Sequence, residues 1–514
     1  MDRISRRKFL KTGGKGVALA AIPVFFRANP LAALMTPSGE TADLQEYYEH
    51  FGVDEKIINS AMSAALERGG DFCDLFFQHR INNAVVLEDN IVSRANTDII
   101  LGVGIRVIRD DQTGYSFTED LSPKAMKEAA KTAANIASGA KAVEPVELKF
   151  HKTPEYYKIK MPWENVGIDN KIPLLQKIND KMISLDKRII KSQVFFSSVD
   201  DYVLIATSDG RIVYDYRPMS RAFATCTAEE KGRREENYEI IGGRLGIEYY
   251  TPEKLDFLAS TAVNKTVTLF EAIKPEAGEM EVVLASGQAG ILLHEAIGHG
   301  MEADFNRKGE SLFADKIGKK VAESFVNIVD DGTLPNLRGS LNIDDEGNDT
   351  EKTYLVENGI LKTYLHDRIS AKHYNVKPTG NGRRESFRHM PIPRMRNTYM
   401  TAGPYTKDEI IASVKKGIYA ESFTNGQVNI GPGDFTFYLK SGRLIEDGKL
   451  TRPIKDINII GNGPEVLRNV VMVGNDPAIA EGGGTCGKGG QSVPVTDGLP
   501  TTKVSAITVG GVSS

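Results

Sequence analysis

Helices and strands come in blocks along this sequence, and that order limits the fold more than any other feature. Residues 54–67 (DEKIINSAMSAALE) carry apolar side chains at helical spacing, with acids in the first turn and Gly69-Gly70 at the end. From 72 to 117, short β-rich runs (CDLFFQHR, NAVVLED, ILGVGIRVI, TGYSF) alternate with polar turns, as in an antiparallel meander. Ser122 opens an alanine-rich helix to about 138. Further helices are expected at 172–185 and at 251–272, the last with Pro252 near its start. Strand-like runs fill 190–250. The polar stretch KPEAGE at 274–279 marks a boundary. Beyond it come a strand at 282–285, a helix from about Ser286, then strands and glycine turns with short helices at 368–375 and 407–416. This block order predicts an α+β fold rather than a βαβ sheet. Two domains of mostly antiparallel sheet with a few packed helices are expected, at 47–273 and 280–514, the second carrying the active-site helix.

The first residues carry an address rather than a fold. SRRKFLK at 5–11 is followed by an apolar run at 16–26 and by small residues, the layout of a twin-arginine export signal over 1–33. That run is too short to span a bilayer, so no stable membrane insertion is expected. A flexible lead-in is expected at 34–46. The signal implies an exported, periplasmic protein. The full chain of 514 residues has 64 Lys+Arg and 68 Asp+Glu. Removing the basic signal leaves a net charge of about −10. An acidic exported chain is a poor nucleic-acid binder, and none is expected as a partner. Three cysteines cannot build a disulfide scaffold.

The chemistry concentrates in the second half. HEAIGH at 294–299 holds the only His-Glu pair of the chain. Two imidazoles and an adjacent carboxylate are what a zinc hydrolase requires: two ligands, and a base for the attacking water. The spacing departs from the familiar zinc-peptidase pattern, which puts the second histidine at i+4. An i+5 residue lies about 140° round an ideal helix. His294 and His299 can share one metal only if the turn widens to i→i+5 bonding or the helix breaks, and Gly298 and Gly300 make either easier. The alternative is a buried helix with one polar edge. Cys486 stands in a glycine-rich run, EGGGTCGKGGQ at 481–491. As a thiolate it can complete a His₂Cys zinc site with one open position. It can also be a nucleophile paired with His294 or His299, or an inert buried thiol.

Other motifs are weaker. Arg383 and Arg384, in NGRRE at 381–385, present forks suited to a substrate carboxylate or to structural ion pairs. DDEG at 344–347 lacks the distal Glu of a calcium loop and reads as a turn. Gly102 and Gly104 are not followed by a phosphate-loop Lys. Cys73 and Cys226 are candidates for pairing only if the fold brings them together.

HEAIGHGMEADFNRKG at 294–309, DDG at 330–332, DDEG at 344–347, PTGNGRRES at 378–386, PIPRMRNTYM at 391–400, MVGND at 472–476 and GTCGKGGQSVPV at 484–495 occur in order. Together they resemble the TldD branch of the TldD/PmbA metallopeptidase family across about 280–511. The paired PmbA branch lacks the HExxxH motif. The resemblance implies a zinc ion held by His294, His299 and Cys486, with Glu295 as general base. It implies cleavage of unstructured or extended peptides and a dimer with an internal chamber, either a homodimer or a heterodimer with a PmbA-like subunit. A non-catalytic zinc-holding scaffold subunit is the competing function. Glu295 separates the two, because a structural site needs no base.

Overall fold

The computed structural model describes residues 40–136, 142–429 and 431–511. The export signal lies outside them. The expected flexible lead-in is corrected from Glu40 onward, where a helix spans Glu40–Phe51. Its apolar positions Leu44, Tyr47, Tyr48 and Phe51 recur every three to four residues, which outweighs the small polar residues before them.

Tyr47–Ser514 forms one compact unit. Its first half is an eight-stranded sheet built on three long strands, Phe72–Glu88, Ile91–Arg109 and Ile189–Thr207. The short runs read from the sequence fuse into these strands. Asp89 and Asn90 make the first hairpin turn with φ of 46° and 68°, a left-handed pair that Asp and Asn tolerate. The far side of Ile189–Thr207 pairs with Arg211–Tyr216 at one end and Met219–Glu230 at the other. Helices Ile168–Leu185 and Pro252–Thr268 cover this sheet, burying Leu175, Ile178, Leu258 and Ala262 against Val194, Phe196 and Ala224. Thr251 caps the second helix through Lys254 N–H, with Pro252 in its first turn. Gly102 and Gly104 serve packing: a Cβ at either would fall within 2.5 Å of Phe387 atoms.

The second half contains two seven-stranded sheets. In one, Lys416–Asn429 pairs with both Gly278–Leu284 and Asp434–Glu446, so five strands close on themselves with Thr502–Gly511 and Ile457–Asn462. The other runs through Lys352–Glu357, Ile328–Asp331, Asn397–Met400 and Gln491–Leu499, with Gly484–Lys488 hydrogen-bonded to the last. Most pairs are antiparallel, as expected. One core joins both sheets, and Leu292, Leu293, Ala296 and Ile297 sit in it beside Phe435, Phe437 and Ile459.

The DDEG and NGRRE motifs turn out to fasten the two halves. Arg106 is ion-paired with Asp74 at 2.6 Å and with Glu346 at 2.7 Å, all fully buried. Arg384 reaches Asp74 at 3.1 Å, and Arg217 reaches Asp345 at 2.5 Å. The Asp344 carboxylate accepts Glu346 N–H and Asn348 N–H, closing the expected turn with no distal carboxylate ligand. Cys73 and Cys226 are separate buried free thiols. Cys226 lies 3.2 Å from Thr266 Oγ1.

Candidate metal centre

The stretch after Gly287 changes helical pitch three times. Gln288–Gly290 is a tight turn, Ile291–Leu293 is α-helical, His294–Gly298 is wide, and His299–Met301 tightens again. The widening is the i→i+5 bond: His299 N–H donates to the His294 carbonyl. It rotates the second imidazole onto the face of the first, as the spacing demanded. The tight packing permits no side chain here. A Cβ on Gly298 would lie 2.1 Å from Met395 Sδ, and one on Gly463 would lie 1.7 Å from the Ala296 carbonyl oxygen.

Cys486 arrives on a hairpin. Gly484–Lys488 pairs with the following strand, Cys486 opposite Val493 and Lys488 opposite Gln491. The two-residue turn is Gly489-Gly490, with φ of 58° and 73°, the pair of positive values that a tight twisted hairpin needs. Buried Arg394 donates to the Cys486 carbonyl at 2.5 Å and to that of Gln491 at 3.2 Å, fixing the strand from the side.

The three side chains converge. One ring nitrogen each of His294 and His299 and the Cys486 sulfur all lie within 4.8 Å of one another. Cys486 Sγ is 3.3 Å from His299 Nε2. On the other side of that ring, Nδ1 meets Glu302 Oε2 at 2.9 Å, and Glu302 is paired with Lys488 at 3.0 Å. Glu295 Oε2 lies 3.7 Å from His299 Nε2, and its side chain keeps 24% of its exposure where the three donors are buried.

Electrostatics tie the group together. Burial opposes the Cys486 thiolate, but His294 and His299 hold its pKa well below the ordinary thiol value. Burial alone would push His294 down, yet Cys486 and Glu295 carry it up to about 9. Burial likewise opposes the Glu302 charge, and Lys488 and His299 hold its carboxyl well below the usual range. Each of the three donors thus stabilises the charged form of another, and a divalent cation could take the place of the protons on the imidazoles.

The donors fit zinc. Neither ring nitrogen of buried His294 has a partner in good hydrogen-bond geometry; the ring's interaction is with the Cys486 sulfur, a fellow member of the donor set, so the ring is left to whatever the set binds. Two imidazoles and a thiolate are a zinc-compatible set, and Glu302 supplies the outer carboxylate that orients a ligating histidine.

Comparison with known proteins gives this arrangement its context. Three family models match in chain order: the PmbA/TldA metallopeptidase domain 1 at 73–137, the central domain at 162–270 and the C-terminal domain at 277–511. A Haemophilus influenzae protein named metalloprotease TldD homolog is 40% identical over 87% of this chain and 94% of its own length. The chain belongs to the PmbA/TldD metallopeptidase family, in its TldD branch. A Saccharolobus solfataricus relative named zinc metalloprotease TldD homolog is 29% identical over 87% of this chain and 98% of its own. Among solved structures, TldE from Thermococcus kodakarensis shares the fold with a TM-score of 0.67 at 19% identity, covering 92% of this chain and all of that one. A Thermotoga maritima structure matches with a TM-score of 0.72 at 21% identity, over 88% of this chain and 99% of that one.

His294, His299 and Cys486 stand together, with Glu295 at their edge. Arg383 and Arg384 are buried elsewhere in the same half: Arg383 donates to the Met395 and Pro494 carbonyls, Arg384 to that of Asp345. Sequence reasoning missed Glu302 and Lys488. Glu302 follows His299 by three residues and Lys488 follows Cys486 by two, so both were within reach of a search for charged neighbours of the candidate ligands. Asp497, on the strand paired with that of Cys486, gave no such signal. It is buried and pushed up to about 6, chiefly by burial.

Proposed function

We propose that this protein is a zinc-dependent peptidase in which His294, His299 and Cys486 hold the metal and Glu295 is the general base. The observation that carries the reading is the widened turn, which sets two histidines of abnormal spacing and a distant cysteine within 4.8 Å while leaving His294 otherwise unpartnered. When bound, zinc supplies Lewis acidity that polarises a peptide carbonyl and acidifies water. The protein's own groups do the rest. Glu295, the exposed member, takes a proton from water and returns it to the leaving amine. Glu302 accepts from His299 Nδ1–H and so presents the Nε2 lone pair inward. Lys488 neutralises Glu302 without reaching the donors.

Cys486 as nucleophile is disfavoured by its 1% exposure and by its place between two imidazoles, with Glu295 the exposed member of the group. The substrate class is unstructured or extended peptide. The subunit acts as a homodimer or with a TldE-like partner, after export by the twin-arginine route; the family's TldD members and the motif at 5–11 motivate these parts. The test measures zinc content beside hydrolysis of an unfolded protein, for wild type and Glu295→Ala. The expected result is about one zinc per chain in both and activity in wild type alone. Activity that survives in Glu295→Ala defeats the base assignment. Zinc in both with activity in neither, even beside a TldE-like partner, assigns the scaffold role instead.

A further inference from the structure

Seven arginines line a cavity of about 370 Å³ between the first-half sheet and the strand that carries Cys486. They divide into two sets. Arg80, Arg217 and Arg384 are ion-paired with Asp201, Asp345 and Asp74. Arg221, Arg244, Arg338 and Arg383 form no ion pair among the described residues, though all but Arg221 are at most 8% exposed. Their hydrogen bonds go to neutral groups: Arg221 to the Gly483 carbonyl, Arg338 to the Gly484 carbonyl and Thr485 hydroxyl, Arg383 to the Met395 and Pro494 carbonyls, Arg244 to the Ser340 carbonyl.

Carbonyls satisfy N–H donors but do not cancel charge. Four like charges packed in a partly dry site repel one another, and buried unpaired charges are rare because they are costly. The strain shows in their titration: burial holds Arg383 down to about 9 and Arg221 to about 10, while burial and the other three arginines together depress Arg338 well below its ordinary value. A guanidinium keeps its proton near neutral pH, so the unmet demand is for an anion. The carboxylates that line the cavity meet it only in part. Asp201 and Asp345 are committed to Arg80 and Arg217, and the remaining one, Glu385, accepts the Ser492 N–H, forms no ion pair with the four arginines and can offset at most one of their charges.

We propose that this cavity binds a carboxylate of the peptide substrate, held by Arg221, Arg244, Arg338 and Arg383, and so selects peptides with an acidic group near the bond to be cut. Position and chemistry both point there. Thr485 lines the cavity and directly precedes Cys486 in the strand Gly484–Lys488, so the cavity and the candidate metal donors share one hairpin, with the two side chains leaving opposite faces of the strand. The planar fork of arginine matches a carboxylate through two parallel hydrogen bonds. The volume lies at the small end of the range of about 300–1,000 Å³ for ligand sites, enough for one acidic terminus or side chain. This inference rests on the peptidase reading for its ligand, but its test does not depend on turnover.

The experiment measures binding of a fluorescent disordered peptide to zinc-loaded Glu295→Ala protein by anisotropy. Three peptides are compared: one whose only acid is its C-terminal carboxylate, its C-terminal amide, and the amide with one internal Glu. The carboxylate-bearing peptides should bind at least about tenfold more tightly than the plain amide. Which of the two gains shows whether terminus or side chain is the source. Arg338→Gln and Arg221→Gln should abolish the preference, and Arg221, at the partly exposed edge, keeps the test available if the buried variant fails to fold. Equal binding of acid and amide, or a preference intact in Arg221→Gln, overturns the proposal. So does a variant whose only change is in subunit assembly by light scattering, which would assign the arginines to a subunit contact. If wild type hydrolyses nothing but the preference stands, the peptidase reading fails and the carboxylate site survives.

Discussion

Two buried charged clusters, about equally hidden from water, carry opposite instructions. Around Asp330 every group is answered. Its carboxylate accepts from Arg396 N–H and Nε–H, both at 2.7 Å, from Asn381 at 2.8 Å and from the Thr398 hydroxyl at 2.9 Å. Around His294 the chain leaves both ring nitrogens unanswered and lets two histidines and a thiol depend on one another. The first cluster is finished by the polypeptide and serves the fold. The second is a set of donors that can hold a metal ion, and the proposed zinc would complete it. Burial of charge therefore says little about function; what separates the two is whether the protein itself supplies every partner.

The sharpest way to break the contrast is to alter each cluster and ask what is lost. Cys486→Ser should reduce bound zinc from about one per chain to near none, read by elemental analysis, with the fold intact by circular dichroism. Normal zinc retention would remove Cys486 from the ligand set. Asp330→Asn should do the reverse: zinc bound by the folded fraction, but about 3–5 kcal/mol less stability in denaturant melts, because Arg396 is left buried and unpaired. Arg396 holds Asp330 below the usual carboxylate range against the pull of burial, so its stabilisation is present above that range and is lost as pH falls through the lowered value. The variant should accordingly lose part of the acid limb of the stability profile. Glu302→Gln sits between the clusters, because Oε2 of the native carboxylate is answered by His299 and Lys488 while its buried Oε1 has no hydrogen-bond partner among the described residues. It should weaken zinc binding or activity about ten- to hundredfold while changing the melt less than Asp330→Asn. A melt that falls as far with zinc affinity unchanged would make Glu302 a packing residue.

The same contrast explains what could be read from the sequence. Helix 55–66 was legible through its apolar spacing, its early acids and the glycines after it, and helix 252–268 through Pro252 near its start. The convergence of His294, His299 and Cys486 was foreseeable because His and Cys are rare enough here to stand out, and the i+5 spacing named the distortion that brings the two imidazoles to one face. The arginine–carboxylate networks were not. Asp74 and Arg106 are cross-strand partners in one hairpin, and Glu346, far off in sequence, meets them only because the first-half sheet packs against the turn at 344–347. NGRRE reads as a substrate clamp or a solvated turn with structural ion pairs; Arg384 is such a structural tie and Arg383 lines a cavity, but the partners of neither could be named from the sequence. The closure of five strands was hidden for the same reason: Lys416–Asn429 finds Gly278–Leu284 across more than a hundred residues of chain.

The most direct test of the central claim, that the widened turn builds a three-donor zinc site, is X-ray absorption at the zinc edge of the purified protein. Two nitrogen scatterers at about 2.0–2.1 Å, one sulfur at about 2.3 Å and one light atom are predicted. A shell without sulfur, or one with a single imidazole, would contradict it.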